Sequence, residues 1–349
     1  MGEYGNHNDP PATDPTGVRV WRGEEIESRH RVHAALVRDG RLVGSHGDPS
    51  TRAYLRSSAK PIQLLPLVEE GLVEEFGFTA RELAVMAASH NAESFHVDAA
   101  RSILEKAGLE ESHLQCGPHA PAHEPSAHAL IEAGLEPTAI HNNCSGKHAG
   151  MLAVCVTKGW PLDSYLEPDH PLQVRIRETL AELAGIDAGE IGLGIDGCGV
   201  PCFALSVTGM ATAFDSMAQS DAARDDDRAR AIGTVVDAMA IHPEYVAGTG
   251  RPCTTIMAKV GERVVVKTGA EGVYGAVLRA APDTSPAGLA LKVADGARRA
   301  QDVAIATLLA DLGVLEPDLD EAIADLVTPA VTNRAEAVVG RVDARLPLE

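Results

Sequence analysis

The amino-acid sequence predicts an α+β fold, in which an antiparallel sheet is flanked by helices and carries an inserted helical lobe. Strand-like patterns lie near both ends of the chain, at residues 18–43 and 256–278, and residues 337–342 can close the sheet. Residues 60–185, between them, are mostly helical in pattern. Strands from both ends and helices from the middle are typical of a sheet with a helical insertion. We therefore expect residues 18–349 to form a single domain of two lobes, with the helical lobe at about residues 60–185.

The first half of the chain carries recognisable turn and cap signals. The pair Asp39-Gly40 follows an apolar run and predicts a β-hairpin. Residues 79–82 have the Thr-x-x-Glu spacing of a capping box, which begins a helix. Residues 95–107 form a predicted helix that Gly108 ends. Further helical segments are predicted at residues 151–156 and 170–183.

The second half alternates between strand and helix patterns. Residues 191–197 predict a buried strand and a turn, and residues 235–240 a short helix. Two or three antiparallel strands are expected within residues 256–278, which include a β-branched run. Residues 287–312 are rich in Ala and Leu and predict one long helix.

Composition and charge limit the classes of partner. The 349 residues are 45% hydrophobic and 23% charged, as in a soluble globular protein. The formal net charge of −20 argues against nucleic acids and anionic membranes, which attract clustered Lys and Arg, and favours a small polar substrate. Residues 1–17 lack the apolar core of a signal peptide and predict a disordered tail. We expect a cytoplasmic protein whose six cysteines are reduced.

The motif Ser57-Ser58-Ala59-Lys60 points most directly to chemistry. If a helix begins near Ser57, Lys60 lies one turn further on the same face. A serine hydroxyl needs a base to become a nucleophile, and a lysine can be that base when burial or a second cation lowers its pKa. Ser89-His90-Asn91 and then Lys267-Thr268-Gly269 follow along the chain. S-x-x-K, a Ser–Asn element and K-T-G, in this order, are typical of serine acyl-transfer enzymes.

Three glycine-rich loops each carry one cysteine, at Cys144, Cys198 and Cys253. Three interpretations remain open. The cysteines could bind zinc, Cys144 could act as a nucleophile with His148 as its base, or all three could be small buried residues in tight loops. Four histidines in a Pro-containing segment are expected on the surface: His113, His119, His123 and His128.

Longer motifs carry a family resemblance. The hexapeptide Arg-Ser-Ser-Ala-Lys-Pro at residues 56–61 is followed by His-Asn-Asn-Cys-Ser-Gly-Lys-His-Ala-Gly at residues 141–150. With residues 196–201, 248–251 and 267–272, these motifs resemble the rhizobial-type L-asparaginase family, also called the thermolabile or asparaginase II family. The resemblance implies a fold similar to serine β-lactamases, penicillin-binding proteins and glutaminases. It also implies hydrolysis of L-asparagine to L-aspartate and ammonia.

The resemblance further implies two Ser–Lys tandems, Ser57 with Lys60 and Ser89 with Lys267. In the mechanism we expect, Ser57 attacks the side-chain amide carbon and Lys60 accepts its proton. Ser89 and Lys267 relay a proton to the leaving ammonia, and backbone N–H groups that include that of Ser57 stabilise the oxyanion.

A zinc ion is also implied beside the tandems. The resemblance places it on Cys144, Lys147 and Cys198, with Asp196 as a nearby carboxylate and Cys253 close to the site. A lysine ligand has to be neutral, which requires a strongly lowered pKa.

The sequence leaves alternatives open. A β-lactamase or D,D-peptidase uses similar motifs, and a non-enzymatic zinc-dependent amino-acid sensor would use the same cluster for binding alone. The alanine-rich segment 287–312 could pack on a second copy, and a homodimer is the expected assembly. Residues of a suitable type for binding the substrate are Arg56, Asn143, Asp196, Arg251 and Glu271.

Overall fold

An antiparallel sheet of eight strands forms the centre of the protein. The structure, a computed structural model, describes residues 16–282 and 285–349. In these ranges the strands are β1 (Thr16–Arg22), β2 (Glu25–Arg38), β3 (Arg41–His46), β4 (Arg52–Tyr54), β5 (Gly192–Ile195), β6 (Pro201–Ser206), β7 (Val264–Gly269), β8 (Val273–Leu278), β9 (Ala287–Val293), β10 (Ala330–Thr332) and β11 (Val338–Ala344). The main sheet has the order β10-β11-β1-β2-β9-β8-β7, with β3 also paired to β2. A second sheet has the order β4-β6-β5.

Most of the helices lie between the two groups of strands that build the main sheet. They are α1 (Lys60–Glu69), α2 (Leu72–Phe76), α3 (Ala80–Met86), α4 (Ser94–Lys106), α5 (Glu124–Glu132), α6 (Ser145–Lys158), α7 (Pro171–Ala184), α8 (Val207–Ala223), α9 (Asp227–Ile241), α10 (Pro243–Val246), α11 (Pro252–Val260), α12 (Arg298–Asp311) and α13 (Glu321–Val327). The predicted α+β class, an antiparallel sheet with inserted helices, is therefore confirmed. Among the described helices, none combines the length and the apolar character that crossing a membrane requires.

Helices cover both faces of the main sheet. On one face α8 packs closely because two strand positions have no side chain. A Cβ at Gly275 would lie 2.0 Å from the Phe214 ring, and one at Gly288 would lie 2.1 Å from the Ala211 carbonyl oxygen. Side chains alternate along a strand, so Tyr274 points to the opposite face. There it lies near Asp302 of α12.

Several local predictions hold. Asp39 and Gly40 both have positive φ and connect β2 to β3, whose register pairs Arg38 with Arg41. Thr79 and Glu82 form the expected capping box at the start of α3. The predicted closing strand is β11, which pairs with β1.

The prediction of one helix over residues 287–312 is wrong in its first half. Ala287–Val293 is β9, and the helix begins only at Arg298. Nearly every side chain of β9 is buried, so the strand lacks the polar alternation that distinguishes a strand from a helix in sequence. The apolar residues of α12 are buried within this chain, so this segment offers no free apolar face to a second copy.

Other boundaries also shift. The strand region predicted from residue 256 starts with the end of α11, so it contains two strands, β7 and β8. The short helix predicted at residues 235–240 is the second half of α9. Of the predicted disordered tail, residues 1–15 lie outside the described residues, and Thr16 and Gly17 already belong to β1.

Candidate active site

Ser57 lies at the junction between the sheet and the helical lobe. It belongs to a short 3-10 helix, Arg56–Ala59, that leads directly into α1. This short helix packs against the end of β7, where Gly269 permits close contact. A Cβ at Gly269 would lie 2.5 Å from the Leu55 carbonyl oxygen. The absent side chain at Gly269 therefore lets the K-T-G end of β7 sit beside Ser57.

Two buried lysines meet at the hydroxyl of Ser89, in the loop after α3. Ser89 Oγ accepts hydrogen bonds from Lys60 Nζ at 3.0 Å and from Lys267 Nζ at 2.9 Å. Lys60 Nζ also donates to two backbone carbonyls, those of Ala88 at 2.5 Å and Asn143 at 3.4 Å. Residues far apart in sequence thus form one hydrogen-bonded Lys–Ser–Lys unit.

Ser57 is next to this unit but not hydrogen-bonded to it. Of the hydrogen bonds formed within the described ranges, none joins Lys60 Nζ to Ser57 Oγ, because the Lys60 side chain turns toward Ser89. Ser57 instead lines the adjacent pocket. The structure brings Ser89 and Lys267 into direct contact and places Ser57 in the wall of the adjacent pocket.

Two ammonium groups bonded to one hydroxyl would repel each other. Burial, and then the positive charge of Lys60, lower the pKa of Lys267 to about 7. At neutral pH a large fraction of Lys267 is therefore uncharged and can accept a proton. A lysine with a pKa near the working pH is suited to general acid–base catalysis.

The pocket beside Ser57 has a volume of about 300 Å³. Ser57 and Ser89 form one part of its wall, and the turn after β7 together with the start of α12 forms another. Three of the predicted substrate-binding residues line it: Asn143, Arg251 and Glu271. Six further lining residues come from positions that sequence analysis did not single out as substrate-binding: Thr268, Gly269, Ala270, Gly296, Arg298 and Gln301.

The loop that carries Ser89 is tied to the loop before α11. Arg251 Nη1 donates to Asn91 Oδ1 at 2.9 Å, and the Asn91 amide donates to the Thr249 carbonyl at 3.2 Å. Glu93 accepts from both the backbone N–H and the hydroxyl of Thr249, each at 2.7 Å. These bonds fix the backbone that follows Ser89, and Arg251 contributes one of its N–H groups to them.

The predicted zinc ligands come together in a buried cluster next to the lysines. Cys144 precedes α6 and Lys147 lies in its first turn, while Cys198 belongs to the turn between β5 and β6. Lys147 Nζ lies 3.1 Å from Cys198 Sγ. A hydrogen bond from Cys198, helped by Lys60 and Lys147 and opposed by burial, holds the pKa of the Cys144 thiol well below its usual value.

The pKa values of the second thiol and of the lysine in this cluster shift upward. The hydrogen bond to Cys144 and burial raise the pKa of Cys198. Burial lowers the pKa of Lys147, but the two neighbouring sulfur atoms outweigh it and raise that pKa above its usual value. Two sulfur atoms are donors that suit Zn²⁺, and Lys147 would have to lose its proton to join them as a ligand. No cluster of three or more His, Cys, Asp or Glu side chains with metal-binding geometry occurs within residues 16–282 and 285–349.

A Cys144–His148 pair is not formed. His148 Nδ1 instead makes a 2.7 Å hydrogen bond to the Tyr165 hydroxyl. Burial, with the positive charges of Lys147 and Lys60, holds the pKa of His148 well below its usual value. The geometry gives Cys144 no histidine base.

Arg56 and Asp196 pair with each other beside the pocket. The Arg56 guanidinium donates from Nε and Nη2 to Asp196 Oδ1, at 3.2 and 2.9 Å. Burial favours a higher pKa for Asp196, but the bonds from Arg56 outweigh it and lower that pKa. Arg56 adopts a φ of 51°, which is uncommon for a residue with a side chain and is typical of functional sites. The pair connects the 3-10 helix of Ser57 to the turn that carries Cys198.

Cys253 lies apart from the other two cysteines. Its Sγ is 3.1 Å from the hydroxyl of Tyr274, and both residues are buried. Burial and then Cys253 keep the pKa of Tyr274 well above its usual value. The buried Cys253–Tyr274 pair therefore lies at β8, the strand that pairs with the Lys267 strand β7.

A comparison with curated sequences finds no match. Among solved structures, a probable glutaminase from Bacillus subtilis, complexed with 6-diazo-5-oxo-L-norleucine, is 13% identical, with a TM-score of 0.37 and coverage of 81% of this chain and 84% of that one. A Bacillus glutaminase in 4.3 M NaCl is 12% identical, with a TM-score of 0.37 and coverage of 81% and 91%. Likenesses of this size carry no conclusion about substrate.

The sequence itself matches the family described as L-asparaginase II over residues 18–344. This match covers both lobes, the Ser–Lys residues and the cysteine cluster. It identifies an amidohydrolase of the asparaginase and glutaminase type. The chain belongs to the L-asparaginase II family.

Proposed function

We propose that this protein hydrolyses L-asparagine to L-aspartate and ammonia through an acyl-enzyme formed on Ser57. The observation that carries the proposal is the contact of Lys60 and Lys267 with Ser89 Oγ, in the wall of the pocket that Ser57 lines. This arrangement offers a nucleophile and a buried proton relay on one side of a cavity large enough for an amino acid.

In the first step, Ser57 Oγ attacks the carbon of the side-chain amide, and the hydroxyl proton passes to Lys60. Lys60 has to be neutral to accept it and must turn part of the way from Ser89 toward Ser57. The amide oxygen becomes an oxyanion. Because Ser57 lies in the first turn of its helix, its backbone N–H has no partner inside that helix and is available to this oxyanion.

In the second step, the carbon–nitrogen bond breaks. The proton held by Lys60 passes through the hydroxyl of Ser89 to neutral Lys267 and from there to the leaving nitrogen, and ammonia departs. The product of this step is an ester between Ser57 and the β-carboxyl carbon of aspartate. Water, deprotonated by the same relay, then hydrolyses the ester and restores Ser57.

We also propose that Cys144, Lys147 and Cys198 hold one Zn²⁺. When bound, the ion would neutralise the sulfur ligands and join the start of α6 to the β5–β6 turn. The chemistry on Ser57 is assigned to the serines and lysines alone. The ion is therefore expected to influence substrate binding more than the chemical step.

Ammonia release with three substrates tests the proposal. The expected result is rapid turnover of L-asparagine, weaker turnover of L-glutamine, and none of a chromogenic β-lactam. Preferential cleavage of the β-lactam would favour the penicillin-recognising alternative. Binding of asparagine without any ammonia release would favour the amino-acid sensor. A homodimer remains part of the proposal, and light scattering on the purified chain tests it.

A further inference from the structure

The part of the pocket away from the two serines is lined by side chains of opposite charge. Glu271 lies in the turn after β7, and Arg298 is the first residue of α12. Within the described residues, the Glu271 carboxylate accepts no hydrogen bond and forms no ion pair, although it lines the pocket. A carboxylate left without a partner beside a cavity can bind a cationic group of a ligand.

The backbone holds this carboxylate in place. Glu271 has a φ of 61°, which is unfavourable for a residue with a side chain and is typical of a functional site. Lys292 Nζ donates to the Glu271 carbonyl oxygen. The carboxylate lies over Gly296, where a Cβ would come within 2.8 Å of Glu271 Oε2. A strained turn and an adjacent glycine thus position Glu271 at the pocket.

Arg298 is a basic side chain of the pocket that forms no hydrogen bond within the described residues. Its one ion-pair contact within the described residues is to Asp302, at 3.7 Å from Nε, and its side chain is 63% exposed. Arg251 also lines the pocket, but its Nη1 is bonded to Asn91. The neighbouring Arg299 is directed elsewhere, toward His30. A guanidinium with free N–H groups binds a carboxylate in a two-point contact.

We infer that Glu271 binds the α-ammonium group of the substrate and that Arg298 binds its α-carboxylate. The inference rests on the proposed function, because the side-chain amide must then lie at Ser57. It defines the substrate class as free α-amino-acid amides that carry both charges. Peptides and N-acylated amides, which lack one or both charges, are excluded by the same contacts.

Truncated substrates separate the two contacts. Succinamate is asparagine without the α-ammonium group, and β-alaninamide is asparagine without the α-carboxylate. For Glu271→Gln we expect kcat/KM to fall about 10- to 100-fold with asparagine and to stay within about twofold with succinamate. For Arg298→Gln we expect a similar fall with asparagine and succinamate, and little change with β-alaninamide. The matched controls, Glu262→Gln and Arg299→Gln, lie outside the pocket lining and should leave all three values near wild type.

Product analogues provide a second measurement if the truncated amides react too slowly. Aspartate, succinate and β-alanine carry the corresponding charge patterns, and their inhibition constants should change in the same selective way. An equal loss for all three ligands in either variant, or no loss in both, would overturn the inference. If the wild-type protein releases no ammonia from asparagine, the proposed function itself fails. Turnover of asparagine without the selective pattern refutes only the assignment of Glu271 and Arg298.

Discussion

The lowered pKa of Lys267 leads to a quantitative prediction about pH. Lys267 can act as a base only in its neutral form, and burial together with the charge of Lys60 brings its pKa to about 7. Below that pH the neutral fraction falls about tenfold for each pH unit. We therefore expect kcat/KM for asparagine to be about tenfold lower at pH 6 than at pH 8, with the midpoint near 7 and a plateau above it.

The assay is steady-state ammonia release between about pH 5 and 8.5, with the rates corrected for the substrate α-ammonium group, which loses its proton at the alkaline end of this range. Lys267→Arg keeps the positive charge but cannot lose its proton, so we expect a loss of about 10²- to 10⁴-fold. Arg251→Gln provides a further check, because the positive charge of Arg251 also lowers the pKa of Lys267. Its removal should move the midpoint to higher pH.

Two outcomes would refute this reasoning. One is a flat pH profile of kcat/KM across this range, because it would show that no group with a pKa near 7 limits the wild-type activity. The other is near-normal turnover by Lys267→Arg, which would show that only the charge of Lys267 is needed.

The remaining predictions concern single positions. Ser57→Ala should lose about 10³-fold or more in kcat while its melting temperature stays near wild type, and activity above a tenth of wild type would contradict the assignment. Lys60→Arg should be as inactive as Lys60→Ala, and a working Arg variant would reduce Lys60 to a source of charge. Elemental analysis of protein purified without chelator should find about one zinc per chain, lost in Cys144→Ser and in Cys198→Ser, with chelation raising KM more than it lowers kcat; absence of the metal would refute the site. Gly269→Ala should destabilise the fold by about 1–3 kcal/mol in urea unfolding, because its Cβ would lie 2.5 Å from the Leu55 carbonyl; unchanged stability would mean that this contact relaxes freely.

Local signals in the sequence predicted local structure well. The capping box at Thr79 and the turn at Asp39-Gly40 depend on residues close together in the chain. The strand Ala287–Val293 was missed because an almost fully buried strand rich in Ala and Leu has the same composition as a buried helix. What distinguishes the two is the pairing of β9 with β2 and β8, which the local pattern does not contain.

In the candidate site, too, local spacing was predicted from the sequence, and contacts between distant residues were not. The i, i+3 spacing placed Lys60 beside Ser57, but it could not determine where a long flexible side chain would point, and its ammonium bonds to Ser89. The contact between Ser89 and Lys267 joins residues 178 positions apart and was expected only from the family resemblance. Arg298 lies in an alanine-rich segment with no motif, so only the fold brings it to the pocket.

Covalent labelling can identify the nucleophile of this site. A diazo-ketone analogue of asparagine, incubated with the wild-type protein, should alkylate the reactive side chain, and peptide mapping by mass spectrometry locates the adduct. We predict one adduct per chain, on Ser57, and none in Ser57→Ala. An adduct on Ser89 or Cys144 that persists in Ser57→Ala would contradict it.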